Sequence, residues 1–182
     1  LERESVIIIS DNSARSAKIR EALKSRYFVI DLNGEDRALD CVRTVELSDN
    51  MAKVCYNSYT LEQCSQVIGM MEKVKCVIVC GVERFLPEKL GVDMETVFDN
   101  RNIKLILDSH GNIPEYYHEK MNFYLEEKTS LIEKRFVDSE ACVIVENADQ
   151  LSSFKAKYGL DNNYICVIDD ESIEDKVLKL IV

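Results

Sequence analysis

Short, continuous apolar runs separated by amphipathic stretches set the pattern of this chain. Residues 6–9, Val-Ile-Ile-Ile, are too few and too β-branched for a helix and predict a strand buried on both faces. Residues 28–32, 76–80, 105–107, 142–145 and 165–168 repeat that signature, while residues 42–47 mix polarities and are expected near a sheet edge. Between the runs lie helical patterns. Ser10-Asp11-Asn12-Ser13 supplies turn and N-cap chemistry for a helix reaching about Arg26, with Ile19, Ala22 and Leu23 on its inner side. Leu61, Cys64, Ile68 and Met71 follow helical spacing. Tyr117, Met121, Leu125, Ile132 and Phe136 predict one helix of about five turns. Asn147 caps a helix that Gly159 ends, and residues 173–181 form the last one. Residues 82–101 carry little pattern beyond a short helix.

Strands alternating with helices at this spacing predict an α/β fold, a doubly wound and mostly parallel sheet of about seven strands with helices on both faces. No repeat, low-complexity tract or linker divides residues 1–182, so one Rossmann-like domain is expected. Composition narrows the partners. With 23 Lys and Arg against 33 Asp and Glu, the net charge of −10 argues against nucleic acid and anionic surfaces, which want a positive field. No run of about 18 apolar residues is long enough to span a membrane. The seven cysteines are odd in number, form no C-x-x-C pair and have no histidine at zinc-ligand spacing, so they read as reduced thiols of a cytoplasmic protein without a metal site.

The densest chemistry lies in Leu105-Ile106-Leu107-Asp108-Ser109-His110-Gly111-Asn112-Ile113-Pro114-Glu115. A buried strand stops at a carboxylate and an imidazole, a glycine lets another group approach closely, and a proline opens a helix. In open parallel sheets, ligands gather at this carboxyl end. His110 and His118 are the only histidines, so one of two neutral-pH proton carriers lies in this loop. Two accounts stand side by side. Asp108 and His110 either satisfy their own turn, or face a cleft where they orient hydroxyls and stabilise developing charge. Arg15, in the first turn of the first helix, is the cation nearest the same crevice.

The ordered set Asp-x-His-Gly, Ile-Pro-Glu, a long acidic helix and Ser139-Glu140-Ala141-Cys142-Val143-Ile144-Val145 resembles the N-terminal half of GT-B glycosyltransferases, closest to the retaining family-4 type. The likeness covers roughly Ile103 to Tyr158, with a looser echo in Val6 to Leu32. Glu140 stands where that family usually has Asp, Glu146 where it has Ser, and no glycine-rich loop follows the first strand. The resemblance implies an acceptor-binding domain, with Asp108 and His110 in catalytic positions and Asp11, Arg15, Gly111, Asn112 and Glu115 about a sugar or glycan acceptor. It also implies a donor-binding C-terminal domain absent from this chain, no transfer by the fragment alone, and no cofactor of its own. Peripheral membrane contact through the basic first helix (Arg15, Lys18, Arg20, Lys24, Arg26) is compatible with it.

Two other ligand-binding readings fit poorly. Ser10-Asp11-Asn12-Ser13-Ala14-Arg15 is no G-x-G-x-x-G, so a pyrophosphate cannot press against that backbone. A phosphoacceptor receiver needs an acidic pair after the first strand, of which Asp11 supplies half. The alternative from a different class is a non-catalytic α/β interaction module that keeps the half fold without the chemistry.

Overall fold

The computed structural model describes residues 3–10, 13–33, 43–55, 74–86, 103–110, 112–159 and 164–182. Their strands are β1 (Ser5–Ile9), β2 (Phe28–Asn33), β3 (Arg43–Leu47), β4 (Met51–Cys55), β5 (Val74–Cys80), β6 (Lys104–Asp108), β7 (Cys142–Val145) and β8 (Ile165–Val167). The α-helices are α1 (Ala14–Lys24), α2 (Ile113–Glu119), α3 (Phe123–Asp138), α4 (Ala148–Tyr158) and α5 (Ile173–Ile181). The strands form one sheet in the order β3-β4-β2-β1-β5-β6-β7-β8. Seven run parallel, and β3 alone pairs antiparallel, at the edge against β4. This is the doubly wound α/β fold that the alternation of runs predicts. The chain moves outward from β1 through β2 to β4, then returns to β5 and builds the other way. That reversal opens a crevice at the carboxyl ends of β1 and β5.

Strict alternation explains why the central strands are apolar throughout. Val6 and Ile8 meet Ile19, Leu23, Ile106, Ile144 and Val177 in the layer of α1 and α5. Ile7 and Ile9 meet Val79, Leu107, Ile132, Phe136 and Phe154 in the layer of α3 and α4. A strand covered on both sides has no solvent face on which to place polar residues. Helix ends are set locally. The Ser13 hydroxyl accepts the Ser16 amide at 3.0 Å, Asn147 accepts that of Gln150 at 2.9 Å, and Gly159 ends α4 with φ 65°.

Two expectations are corrected. The single helix carrying Tyr117 through Phe136 is two helices. Met121 takes a left-handed φ of 55° and is 76% exposed, and Asn122 starts α3 by accepting the Leu125 amide at 3.2 Å. Met121 fits the apolar period but sits in the elbow, not on the buried face. The other correction is β4, an eighth strand, which follows a tight Ser48-Asp49-Asn50 turn held by the Ser48 amide on the Met51 carbonyl at 2.8 Å. The helix expected around Leu61 to Met71, and most of residues 82–101, lie outside the described residues. Val82–Phe85 is a 3-10 turn.

Candidate functional site

Strand β6 lies between β5 and β7, and its last residue is Asp108. The Gly81 amide donates to the Asp108 carbonyl at 3.0 Å, and the Ser109 amide donates to the Ile144 carbonyl at 2.9 Å. Both neighbours therefore hold the strand's end. Alternation then sends Asp108 toward α1 and α5, and Ser109 toward α3 and α4. Each side chain enters a polar network buried in its own layer.

On the first side Asp108 is fully buried and accepts both edges of the Arg15 guanidinium, from Nε to Oδ2 at 2.9 Å and from Nη2 to Oδ1 at 3.1 Å. Arg15, 4% exposed, completes its donors with Asp170 Oδ1 at 2.8 Å and the Ile168 carbonyl at 2.7 Å. Burial opposes the charge on Arg15, but the hydrogen bonds and charges of Asp108 and then Asp170 outweigh it, so the guanidinium is held above its ordinary range. His110 Nδ1 stands 3.2 Å from Asp108 Oδ2, and its side chain is 14% exposed. Of these three groups the imidazole has the most access to solvent. An imidazole backed by a carboxylate can take a proton from a hydroxyl and return it.

Across the sheet, the Ser109 hydroxyl donates to Glu133 Oε2 at 3.0 Å. Glu133 Oε1 accepts from the Tyr158 hydroxyl at 2.6 Å and from Lys157 Nζ at 3.2 Å. Burial pushes the Glu133 carboxyl above the usual carboxylate range, against the charge of Lys157 and the hydrogen bonds from Tyr158, Lys157 and Ser109. The Tyr158 phenol is raised by burial and then by the neighbouring Glu133 charge. Lys157 also reaches Glu115 Oε1 at 3.3 Å, which ties α2 to this network.

The sequence-derived site residues thus separate. Arg15, Asp108 and His110 come together. Asn112 opens α2 in the left-handed region at φ 46°, and Glu115 joins the Glu133 network. Asp11 and Gly111 lie outside the described residues. Glu133 is a residue that sequence reasoning missed, although a signal was present. Thr129, Ile132, Glu133 and Phe136 fall at helical i, i+3, i+4 and i+7, so a carboxylate occupies the buried stripe of α3. Arg84 was missed as well. It lies just past β5 at the crevice and donates from Nη1 to the Ser10 carbonyl at 3.2 Å.

The basic first helix has partners within the protein. Arg20 meets buried Asp31 at 2.7 Å, Lys24 meets Glu21 at 3.0 Å, and Lys18 reaches the Asp170 carbonyl at 3.3 Å. Among the described residues, no three His, Cys, Asp or Glu side chains gather as a metal site would require. Among the same residues, no helix is long and apolar enough to cross a membrane. No family model matches the chain, and no curated protein is detectably similar to it.

Proposed function

We propose that this chain is the acceptor-side domain of a GT-B-type glycosyltransferase, binding a sugar or glycan hydroxyl beside His110 while a separate domain holds the nucleotide-sugar. The observation that carries this reading is His110 standing against the buried Asp108–Arg15 pair at the carboxyl edge of a doubly wound parallel sheet. The order of Asp108, His110, Gly111 and Glu115 in the chain, which resembles that family, supports it. In this reading His110 is the proton carrier. Asp108, 3.2 Å from Nδ1, acts on the imidazole through its charge, and Arg15 holds the carboxylate in place. Asn112, which opens α2 next to His110, is on the acceptor side in this reading, whereas Glu115 is held by Lys157 in the network across the sheet. The thiols and the acidic surface suit the cytoplasm.

One observation favours a second reading. Both Asp108 oxygens are engaged by Arg15 inside the protein, as in a purely structural ion pair. An interaction module that keeps the half fold would look the same. Titration of isotope-labelled protein with mono- and disaccharides, following the His110 ring resonances, separates the two. Saturable shifts at His110 that vanish in Arg15→Lys, with the fold intact, support acceptor binding; their absence across a sugar panel favours the module. Uridine and guanosine diphosphate-sugars at millimolar concentration should raise Tm little, because their phosphates need the other domain. Clear stabilisation by them overturns the acceptor-side assignment.

A further inference from the structure

One arginine at the crevice has no carboxylate of its own among the described residues. Strand β5 ends at Cys80, Gly81 turns the chain at φ 89°, and the 3-10 turn Val82–Phe85 carries Arg84. The turn is held on both sides, because Val82 and Leu86 are buried in the layer of α3 and α4 and the Gly81 amide donates to the Asp108 carbonyl of β6. From there half-buried Arg84 reaches across to β1, where Nη1 donates to the Ser10 carbonyl at 3.2 Å. Ser10 follows the last residue of β1, so the side chain bridges the carboxyl ends of β1 and β5, where the strand order reverses. That bond uses one N–H donor of the guanidinium. Nε is buried and has no acceptor, and among the described residues no carboxylate pairs with the head.

We propose that Arg84 is the anion-binding residue of the crevice, and that the ligand placed beside His110 is a sugar carrying a phosphate ester. The hydroxyl end of this assignment rests on the acceptor-side reading, whereas the anion end stands on Arg84 alone. The competing account makes Arg84 a brace for the end of β1. A brace explains Nη1 and leaves the charge and the other donors unaccounted for. Other cations with little exposure are matched inside the protein: Arg15 with Asp108 and Asp170, Arg20 with Asp31, and Lys157 with Glu133 and Glu115. In a chain with 33 acidic residues against 23 basic ones, a guanidinium without a carboxylate is positioned for an anion from outside. Neighbouring Glu83 does not take that place, since its carboxylate folds back against Gly81, where an added Cβ would stand 2.6 Å from Oε2. A buried Nε–H without an acceptor destabilises the free protein. Held by one bond, the head can pivot its Nε–Nη2 edge toward a phosphate, which accepts from both donors at once.

The span to His110 sets the kind of ligand. Ile9 is level with Val79 and Cys80 with Asp108, so Ser10 and Asp108 are level on β1 and β6 with β5 between them. Adjacent strands lie about 4.8 Å apart, which puts these two strand ends about 10 Å from each other. Inorganic phosphate at Arg84 is too small to touch the imidazole as well. A monosaccharide bridges the gap, with a hydroxyl at His110 and an ester phosphate at Arg84. A phosphate reaches further from the ring than a carboxylate attached directly to it, and so suits the span better. The net charge of −10 repels an anionic membrane, which favours a soluble ester over a lipid headgroup.

The test follows the Arg84 Nε–H and His110 ring resonances of isotope-labelled protein at constant ionic strength, with Arg84→Gln identifying the arginine signal. Inorganic phosphate, titrated against chloride, should shift the Arg84 signal saturably and leave His110 in place. Glucose-6-phosphate should shift both, and should bind more tightly than glucose. In Arg84→Gln its affinity should fall roughly tenfold to a hundredfold, the scale of losing hydrogen bonds to a charged group. Arg84→Lys keeps the charge and should lose less. The proposal is overturned if phosphate moves the Arg84 signal no more than chloride does, or if glucose-6-phosphate binding survives Arg84→Gln. The wild-type titration decides the matter even if the variants fold poorly. Arg84-dependent pelleting with phosphatidylglycerol vesicles would overturn the soluble ester. The two readings fail separately. Glucose shifting His110 without phosphate at Arg84 sinks this inference and keeps the acceptor side; phosphate at Arg84 with His110 unmoved by any sugar or sugar ester keeps the anion site and sinks the acceptor side.

Discussion

Replacing Arg15 with Met leaves the Asp108 carboxylate fully buried without its guanidinium, with the imidazole of His110 3.2 Å away. Replacing Asp108 with Leu instead leaves a guanidinium that is 4% exposed, with the half-exposed Asp170 and the Ile168 carbonyl still bound to it. Removing one member of a buried pair costs about 3–5 kcal/mol, because the remaining charge stays desolvated without its counterion. For a chain of this size each kcal/mol moves Tm by about 2–4 °C, so either variant should melt about 6–20 °C below wild type. The double variant Arg15→Met/Asp108→Leu places two apolar side chains together and leaves Asp170 to water. It should lie within about 1–2 kcal/mol of wild type, since an apolar replacement of a buried pair is often neutral. Urea unfolding at pH 7, followed by circular dichroism and tyrosine fluorescence in this tryptophan-free chain, measures all three. Losses that simply add in the double variant, or single variants within about 1 kcal/mol of wild type, would refute the reasoning.

Glu133→Gln removes a buried charge and keeps one acceptor oxygen, so that the Ser109 or the Tyr158 hydroxyl must turn to accept from the new amide. Because the folded state raises the Glu133 pKa, its proton-linked stability is present below the unfolded carboxylate value and lost as pH rises through the folded one. The stability of wild type relative to Glu133→Gln should therefore increase as pH falls from 7 toward 4, in urea titrations at each pH; a flat difference refutes it. Gly81→Ala should cost about 1–3 kcal/mol, because φ is 89° and an added Cβ would stand 2.6 Å from Glu83 Oε2; an unchanged urea midpoint would contradict this. All seven cysteines should label in denaturant, whereas Cys76, with its thiol pushed up to about 12, should stay unlabelled in the native protein, as mass spectrometry can check.

What could be read from the chain follows from how each segment is covered. β1, β5, β6 and β7 are legible because burial on both faces demands unbroken apolar runs. β4 was not, because Met51-Ala52-Lys53-Val54-Cys55 alternates without a strong apolar run, and only its turn with β3 marks it. The break between α2 and α3 was hidden because Met121 keeps the helical period, and its left-handed backbone leaves no trace in side-chain chemistry. At the site, Asp108, His110 and Arg15 could be placed near one crevice from strand ends and a helix start. Their mutual pairing could not, because it depends on the distance across the sheet from α1 to β6. Glu133 could have been found, since a carboxylate among Thr129, Ile132 and Phe136 must have partners once that face is buried.

The end of β6 has a consequence for motion. Asp108 is bound to a helix on one side of the sheet and Ser109 to a helix on the other, while the backbone of the same two residues bonds to the chain just beyond β5 and to β7. This turn cannot open by local fraying, because opening would break contacts in both layers at once. Its amides are expected to exchange with solvent only through events as large as global unfolding, unlike those of the edge strand β3. His110 is thus attached to one of the stiffest points of the framework. Any adaptation to a ligand must come from the segments that approach this turn, and not from the turn itself.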